Sequence, residues 1–413
     1  MPAPLSPATI TLIKATVPAL EAHGLTITKR MYERLFADPA MRDLFNQSHH
    51  GETGSQPKAL AQAVLAYARN IDNLSVLAGA VERIAQKHVA LNILPEHYPF
   101  VADALLGAIG DVLGEAATPE IATAWGEAYW FLAELLIGRE AAIYRDHAGK
   151  PGGWNGWRDF VVESVALESE TIRSFVLVPA DGGPVLRHRP GQYLGFLLDL
   201  PGRGVLKRNY SISCAPSDRA YRITVKREVA PGRPAGIASN WLHDHARPGT
   251  VLKVAAPAGD FALDGQSDEP VVLVSGGVGL TPMMSMLETI ATASPDRPTW
   301  YVHGALFGRV HALRDHARTL ATRAGNTKLA TFYAAPEPAD RHGEDYDVQG
   351  LITADWLVQN TPHDRATYYL CGPKPFLRDL VTGLARHGVP TERVKFEFFG
   401  PADDLVEEPR QAA

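Results

Sequence analysis

Cysteine is nearly absent from this chain: 413 residues carry only Cys214 and Cys371, far apart in sequence and in no metal-ligand spacing. That excludes a disulfide framework and a cysteine-built zinc site, and it fits a reducing compartment. Long apolar runs are missing as well. None approaches the ~20 residues needed to cross a bilayer, and no basic segment followed by an apolar block opens the chain, so the expected location is the cytoplasm. Positive charge is not in surplus. The formal net charge of -6 argues against a broad surface for nucleic acid or anionic lipid and points to small molecules as partners. Internal repeats and low-complexity segments are also lacking. What remains is an ordinary globular composition, 46% hydrophobic and 21% charged, enough for each of the two or three domains suggested by the length to bury its own core.

The first 147 residues read as helices only. Ser6-Pro7 pairs an N-cap with a proline suited to the first helical position, and Ile10, Ile13, Val17 and Leu20 follow at helical spacing, with Pro18 expected to bend that helix. Further helices are expected over 26–37, from Asp38-Pro39, and over 57–71, 76–91 and 95–113. Thr118-Pro119 opens a long one whose stripe of Trp125, Tyr129, Leu132 and Leu136 continues to Ile143. A Gly/Pro-rich joint over 149–156 ends the helical part. Short β-like runs follow at 160–165, 172–178, 193–198, 221–225 and 251–254, which suit a small antiparallel barrel. From Pro270, five buried-strand runs (271–274, 299–302, 329–333, 367–370, 394–398) alternate with helix-like segments, the pattern of a parallel sheet covered on both faces. The expected division is an all-α domain over 1–147, an antiparallel β-barrel over 155–264 and a parallel-sheet α/β domain over 268–405.

Within the third part, Val271-Val-Leu-Val-Ser-Gly-Gly-Val-Gly-Leu-Thr-Pro282 is a buried strand running into a glycine turn and a helix. Glycines there let the backbone approach a phosphate at a helix N-terminus, where free N–H groups and the helix dipole favour an anion. Alone, the same turn serves equally as a tight βα connection, and Pro282 stands where GxGxxG has its third glycine. Arg208-Asn-Tyr210-Ser211 adds a cation, an aromatic plane and a hydroxyl. Tyr368-Tyr-Leu-Cys371-Gly372-Pro373 ends another strand in a turn. With Pro190-Gly-Gln-Tyr193 and Glu397-Phe-Phe399-Gly-Pro401, these stretches resemble the ferredoxin-reductase-type FAD/NAD(P)H module over roughly 155–405, in its expected order.

That resemblance implies that Arg208 pairs with the FAD pyrophosphate, Tyr210 packs on the isoalloxazine, and Ser211 sits near its N5, where hydride arrives. Tyr193 would also contact FAD, and Ser239 and Asn240, opening a helix, would help hold its phosphates. Gly277, Gly279 and Thr281 would hold the nicotinamide nucleotide, with Cys371, Gly372 and Pro373 beside the nicotinamide. Phe399 would cover the flavin face that NAD(P)H must reach. Taken singly, each aromatic reads more simply as core packing. The stretch 227–234 is longer and richer in Pro and Gly than the resemblance leads one to expect. NADH and NADPH both remain open, because Arg309, after the 299–302 strand, could meet a 2′-phosphate or face solvent.

In the helical part, Val81, Ile84, Ala85 and His88 form one stripe, which puts a histidine on a buried helix face. Alone it would be a hydrogen-bonded core residue. Tyr98 follows ten residues later near the start of the next helix, and Glu140 extends the apolar stripe of the last helix four residues after Leu136. A carboxylate on such a stripe needs a partner, and His88 and Tyr98 are the candidates. Arg83-Ile-Ala-Gln-Lys-His88, Pro95-Glu-His-Tyr98, Ala124-Trp-Gly-Glu-Ala-Tyr129 and Gly138-Arg-Glu140 resemble the globin domain of flavohaemoglobins, over essentially all of 1–147. The family implies His88 as the proximal ligand of haem iron, with Glu140 and Tyr98 behind it strengthening its donation. It also implies Tyr32 and Gln56 as hydrogen-bond donors to bound dioxygen, Leu60 as a restriction of the pocket, and Lys87 at the haem edge towards the flavin. Otherwise Tyr32 reads as a core tyrosine and Gln56, just before Pro57, as a solvated cap.

The function implied by the whole resemblance is a soluble, NAD(P)H-dependent nitric oxide dioxygenase with haem b and FAD. Hydride passes from NAD(P)H to FAD and single electrons to haem iron, and nitric oxide and oxygen become nitrate. A monomer is expected. One alternative is an oxygen- or lipid-binding globin whose reductase module only keeps iron ferrous. Another is a plain flavin reductase without haem, which the retention of His88, Tyr98 and Glu140 opposes.

Overall fold

Proline and short polar side chains set the helix boundaries at the start of the chain. The computed structural model describes residues 3–42, 55–202, 204–229 and 235–399. Ser6 accepts the amide of Thr9 (3.0 Å) and caps α1 (Pro7–Ala15). After a turn at Thr16, α2 runs from Val17 to Leu35. Pro18 therefore opens a second helix instead of bending one, since a first turn does not need its missing N–H, and the helix expected over 26–37 is the second half of α2. The helical part continues with α3 (Pro39–Arg42), α4 (Ser55–Arg69), α5 (Ala78–Ala90), α6 (Tyr98–Leu113) and the 31-residue α7 (Pro119–Gly149). Short 3-10 turns at Leu74–Leu77 and Pro95–His97 lead into α5 and α6. Ile13, Leu20, Ile27, Met31, Leu105, Ile109 and Trp125 form the main helical core, and Ala85, Val89, Tyr98, Leu136 and Ile143 a smaller one between α5, α6 and α7.

Past the joint the chain alternates apolar residues at strand period. The strands are β1 (Arg158–Ser169), β2 (Ile172–Pro179), β3 (Tyr193–Leu200), β4 (Gly204–Ser211), β5 (Tyr221–Lys226) and β6 (Val251–Val254), with α8 (Ile237–His245) between the last two. They make one antiparallel sheet in the order β4-β3-β6-β1-β2-β5. The bridge Ile212–Ile223, just beyond β4, brings its two edges together around Phe160, Phe175, Phe196 and Tyr221.

The last part is β7 (Val271–Gly276), α9 (Leu280–Ala293), β8 (Thr299–Ala305), α10 (Arg314–Ala324), β9 (Thr327–Tyr333), β10 (Val348–Gln349), α11 (Ala354–Asn360), β11 (Thr367–Cys371), α12 (Lys374–Arg386) and β12 (Val394–Glu397). The strands pair in parallel in the order β10-β9-β8-β7-β11-β12. Successive residues of β7 feed opposite cores, Leu273 on the α9–α10 side and Val272 and Val274 on the α11–α12 side, so the run is apolar throughout. Chain order reverses between β7 and β11, and a crevice at the carboxyl ends of those two strands is where an open α/β sheet binds its ligand. No helix among the described residues is long and apolar enough to cross a membrane.

The joint after α7 is tightly folded. Gly152 has φ of +71°, and a Cβ on Gly153 would overlap the backbone carbonyl of His147. Gly153→Ala is expected to destabilise the protein by about 1–3 kcal/mol, because the end of α7 must unwind to admit the methyl group. Differential scanning calorimetry measures it, and an unchanged transition would mean that the joint relaxes freely.

Candidate cofactor sites

The stripe of α5 lies against α7, and Tyr98 enters from the first turn of α6. His88 Nδ1 is 2.7 Å from Glu140 Oε1, and the Tyr98 hydroxyl donates to the same oxygen at 2.6 Å. Glu140 is 2% exposed, so its position on an apolar stripe is tolerable only because two donors converge on it. The network assigns the ring proton to Nδ1. Nε2 then carries the lone pair, and it makes no hydrogen bond with the described residues. A neutral imidazole with a buried carboxylate behind it is a donor set that fits a single axial metal bond. Burial, reinforced by the charge of Glu140, raises the pKa of Tyr98 well above the ordinary phenol value and keeps it a donor. Tyr129 fixes the start of α6 by donating to the carbonyl of Tyr98 (2.7 Å).

Tyr32, on α2, is 7% exposed and hydrogen-bonded to the side chain of Gln56. Burial pushes its pKa up, with the Gln56 bond opposing. Gln56 falls in the first turn of α4, whose start is pinned to α2 by the Thr28 hydroxyl donating to the Pro57 carbonyl at 2.8 Å. Leu60, one turn on, is partly buried against the same core. The structure brings Gln56, which sequence alone also allowed as a solvated cap, to the Tyr32 hydroxyl.

On the antiparallel sheet, Tyr193 lies opposite Ser211, Leu194 opposite Tyr210 and Phe196 opposite Arg208. Arg208 and Tyr210 thus share one face of the β3–β4 pair, and Tyr193 and Ser211 the other. Burial lowers the Arg208 pKa, and Tyr210 meets Phe196 edge-on at 5.5 Å between centroids. Ser239 and Asn240 were expected to open a helix. They are the third and fourth residues of α8, not its opening, and the Asn240 amide already donates to the Gly236 carbonyl. Both side chains tie down the preceding loop, Ser239 Oγ at the Glu228 amide and Gly236 carbonyl, and Asn240 Nδ2 at the Glu228 and Gly236 carbonyls. Among the described residues, the first-turn amides of α8 without a backbone acceptor lie at or before Ser239.

At the β7/β11 crevice the two expected turns touch. Gly277 adopts φ of +56°, and a Cβ on Gly279 would overlap the Cys371 carbonyl, so only glycine allows the approach. Thr281 is buried in the first turn of α9 with its hydroxyl on the Val278 carbonyl. Cys371 ends β11, Gly372 follows, and Pro373 caps α12. Phe399 is 48% exposed.

Several residues at the meeting of these sites were not singled out from sequence. Gln86, two residues before His88, accepts the Gly259 amide through Oε1 (2.9 Å), which docks α5 onto the antiparallel sheet. A Cβ on Gly195 would overlap the Ala90 carbonyl at the end of α5, and Tyr193 packs with Ala90 and Ala258. Glu397 ends β12, and Lys87 and Asp260 both act on its charge. Gln86 and Glu397 stood inside stretches already quoted, whereas nothing in the sequence marked Gly195.

Residues 29–134 match the globin family and residues 273–382 the oxidoreductase NAD-binding domain. The flavohemoprotein of Xylella fastidiosa strain 9a5c is 55% identical over 405 residues, 98% of this chain and 99% of that one. The chain belongs to the flavohaemoprotein family. The flavohemoprotein of Bordetella pertussis is 46% identical over 96% of this chain and 98% of its own length. The flavohemoglobin of Malassezia yamatoensis, solved with bound FAD and heme, superposes with a TM-score of 0.84 at 25% identity, covering 96% of this chain and all of that one. The FAD/NAD-binding domain of a nitric oxide dioxygenase from Vibrio cholerae matches at 36% identity and a TM-score of 0.54, over 59% of this chain and 99% of that chain.

Burial pushes the Glu397 carboxyl up to about 7, with Lys87 pulling against it, although the side chain keeps some contact with solvent. Because the folded form holds the proton more tightly than the unfolded chain, the stabilising contribution is complete below the ordinary carboxyl range and lost as pH rises towards 7. Glu397→Gln is expected to flatten the decline of the thermal midpoint between about pH 5 and 8. A wild-type slope retained in the variant would assign it to other groups.

Proposed function

We propose that this flavohaemoprotein is a nitric oxide dioxygenase that converts nitric oxide and oxygen to nitrate with NAD(P)H, through FAD and haem b. The observation that carries the reading is the convergence of His88 Nδ1 and the Tyr98 hydroxyl on buried Glu140, together with the Tyr32–Gln56 pair of α2 and α4. When bound, FAD splits a hydride pair into single electrons and haem supplies one-electron chemistry at iron. The chain's own residues do the rest. His88 Nε2 would hold the iron, and Glu140, accepting the Nδ1 proton, makes the ring a stronger donor, which favours oxygen activation over storage. Tyr98 keeps Glu140 in place. Tyr32, with Gln56 hydrogen-bonded to it, would offer a donor to dioxygen, Leu60 would narrow the pocket, and Lys87 would stand at the haem edge towards the flavin. Arg208, Tyr210, Ser211 and Tyr193 would hold FAD, with the first-turn amides up to Ser239 near its phosphates. Gly277, Gly279, Thr281, Cys371, Gly372 and Pro373 would hold the nicotinamide nucleotide, and Phe399 would shield the flavin. The functional units correspond to 1–147, 155–264 and 268–405.

The pairing of Arg309 bears on the choice of dinucleotide. Its Nε lies 2.7 Å from Glu337 and its NH1 2.6 Å from Glu170, so the guanidinium is already shared by two carboxylates, which supports NADH.

Aerobic NADH and nitric oxide are expected to give nitrate in a 1:1 ratio with the nitric oxide consumed. Tyr32→Phe is expected to speed oxygen release and to slow nitric oxide removal roughly 10- to 100-fold, the loss typical of a hydrogen bond to a charge-bearing group. His88→Ala is expected to remove the Soret band. Consumption without nitrate would leave an oxygen- or lipid-binding globin, and a Tyr32→Phe protein with unchanged oxygen release and turnover would refute the distal assignment.

A further inference from the structure

Between the helix of His88 and the sheet of the flavin residues lies a buried amine that the relay does not use. Lys207 on β4 is 5% exposed. Its Nζ donates to the Leu91 carbonyl at 2.6 Å and stands 5.5 Å from the centre of the Trp157 ring. Leu91 is the C-cap of α5, where the last carbonyls lack donors within the helix and the dipole attracts a cation. No carboxylate forms an ion pair with Lys207 among the described residues. An ammonium removed from water without an anion is costly, and burial alone pushes this one down to about 8. Across the contact the charge of Lys207 acts on His97, before α6. Its pKa falls through burial, with the Lys207 charge lowering it further. A lysine with no tie to the helix would turn its head to solvent.

The contact is part of a continuous seam. Gln86 meets the Gly259 amide, Ala90 meets Gly195 with no room for a Cβ, and Leu91 meets Lys207, so the last two turns of α5 lie on the sheet with His88 between the tie points. Of these three ties, that of Lys207 alone carries a formal charge. We propose that Lys207 is a positioning residue that clasps the C-terminal end of the His88 helix to the flavin-bearing sheet and so fixes the separation across which electrons pass. Electron transfer falls steeply with distance, so a looser helix end slows that step and leaves hydride transfer alone.

The test uses the holoenzyme without oxygen or nitric oxide. Lys207→Met keeps the stem and loses the donor, and Lys207→Arg keeps both charge and donor. In Lys207→Met, hydrogen exchange of the amides at the end of α5 is expected to quicken roughly tenfold, as for loss of a charge-assisted hydrogen bond. After mixing with NADH, flavin bleaching keeps its wild-type rate, haem reduction slows severalfold, and Lys207→Arg recovers both readouts. Unchanged exchange, or faster exchange with unchanged haem reduction, overturns the clasp. Should Lys207→Met lose FAD because Arg208 is its neighbour, Trp157→Leu alters the seam without touching the flavin strand and is expected to move both readouts in the same directions. The inference rests on the siting of haem and flavin proposed above, not on the nitric oxide reaction. A wild-type haem that NADH never reduces refutes relay and clasp together, whereas wild-type reduction with an unresponsive Lys207→Met refutes the clasp alone.

Discussion

One oxygen atom of Glu140 carries the arrangement of the proximal side. It accepts from the His88 ring and from the Tyr98 hydroxyl at once, and it does so inside an apolar layer between α5 and α7. Remove either donor and a nearly dry carboxylate is left short of partners, so the bond to the imidazole and the bond to the phenol support one another. The consequence reaches the ring itself, because a fixed Nδ1 proton fixes which nitrogen is basic. Tyr98 in turn belongs to the first turn of α6, which Tyr129 of α7 holds by its carbonyl, so three helices share responsibility for one tautomer.

The same helix that presents His88 also touches the antiparallel sheet. Gln86 is held by the Gly259 amide, and Tyr193, which resemblance assigns to the flavin, packs on Ala90. The order of the chain makes this possible only at long range, since the partners of Gln86 and Leu91 stand more than a hundred residues away. Small side chains are what allow the approach: at Gly195 the helix end and the strand meet backbone to backbone.

Much of this was readable from residue order alone, for identifiable reasons. The His88 stripe, the Glu140 stripe and the β7 turn each repeat at the period of their own element, so local spacing was enough. Pro18 misled because a proline is compatible both with a bend and with a first turn, and the break between α1 and α2 at Thr16 decides between them. β10 has two residues, too few for any period to register. Asn240 was placed at a helix start that begins three residues earlier, and its amide is consequently committed inside the helix. Lys207 and Gly195 carry no local signal whatever, because their meaning lies in what a distant helix brings to them.

The closure of the antiparallel sheet by Ile212 and Ile223 has a bearing on how this protein coexists with its neighbours. An open edge strand is a template on which another chain can add, and here both ends of the sheet are turned towards each other. The parallel sheet solves the matching problem differently, ending on one side in a two-residue strand and on the other in the four-residue β12. A single bridge leaves the outer edge of β4 otherwise without a ladder partner among the described residues, so the protection against an added strand is confined to the corner where the two edges meet.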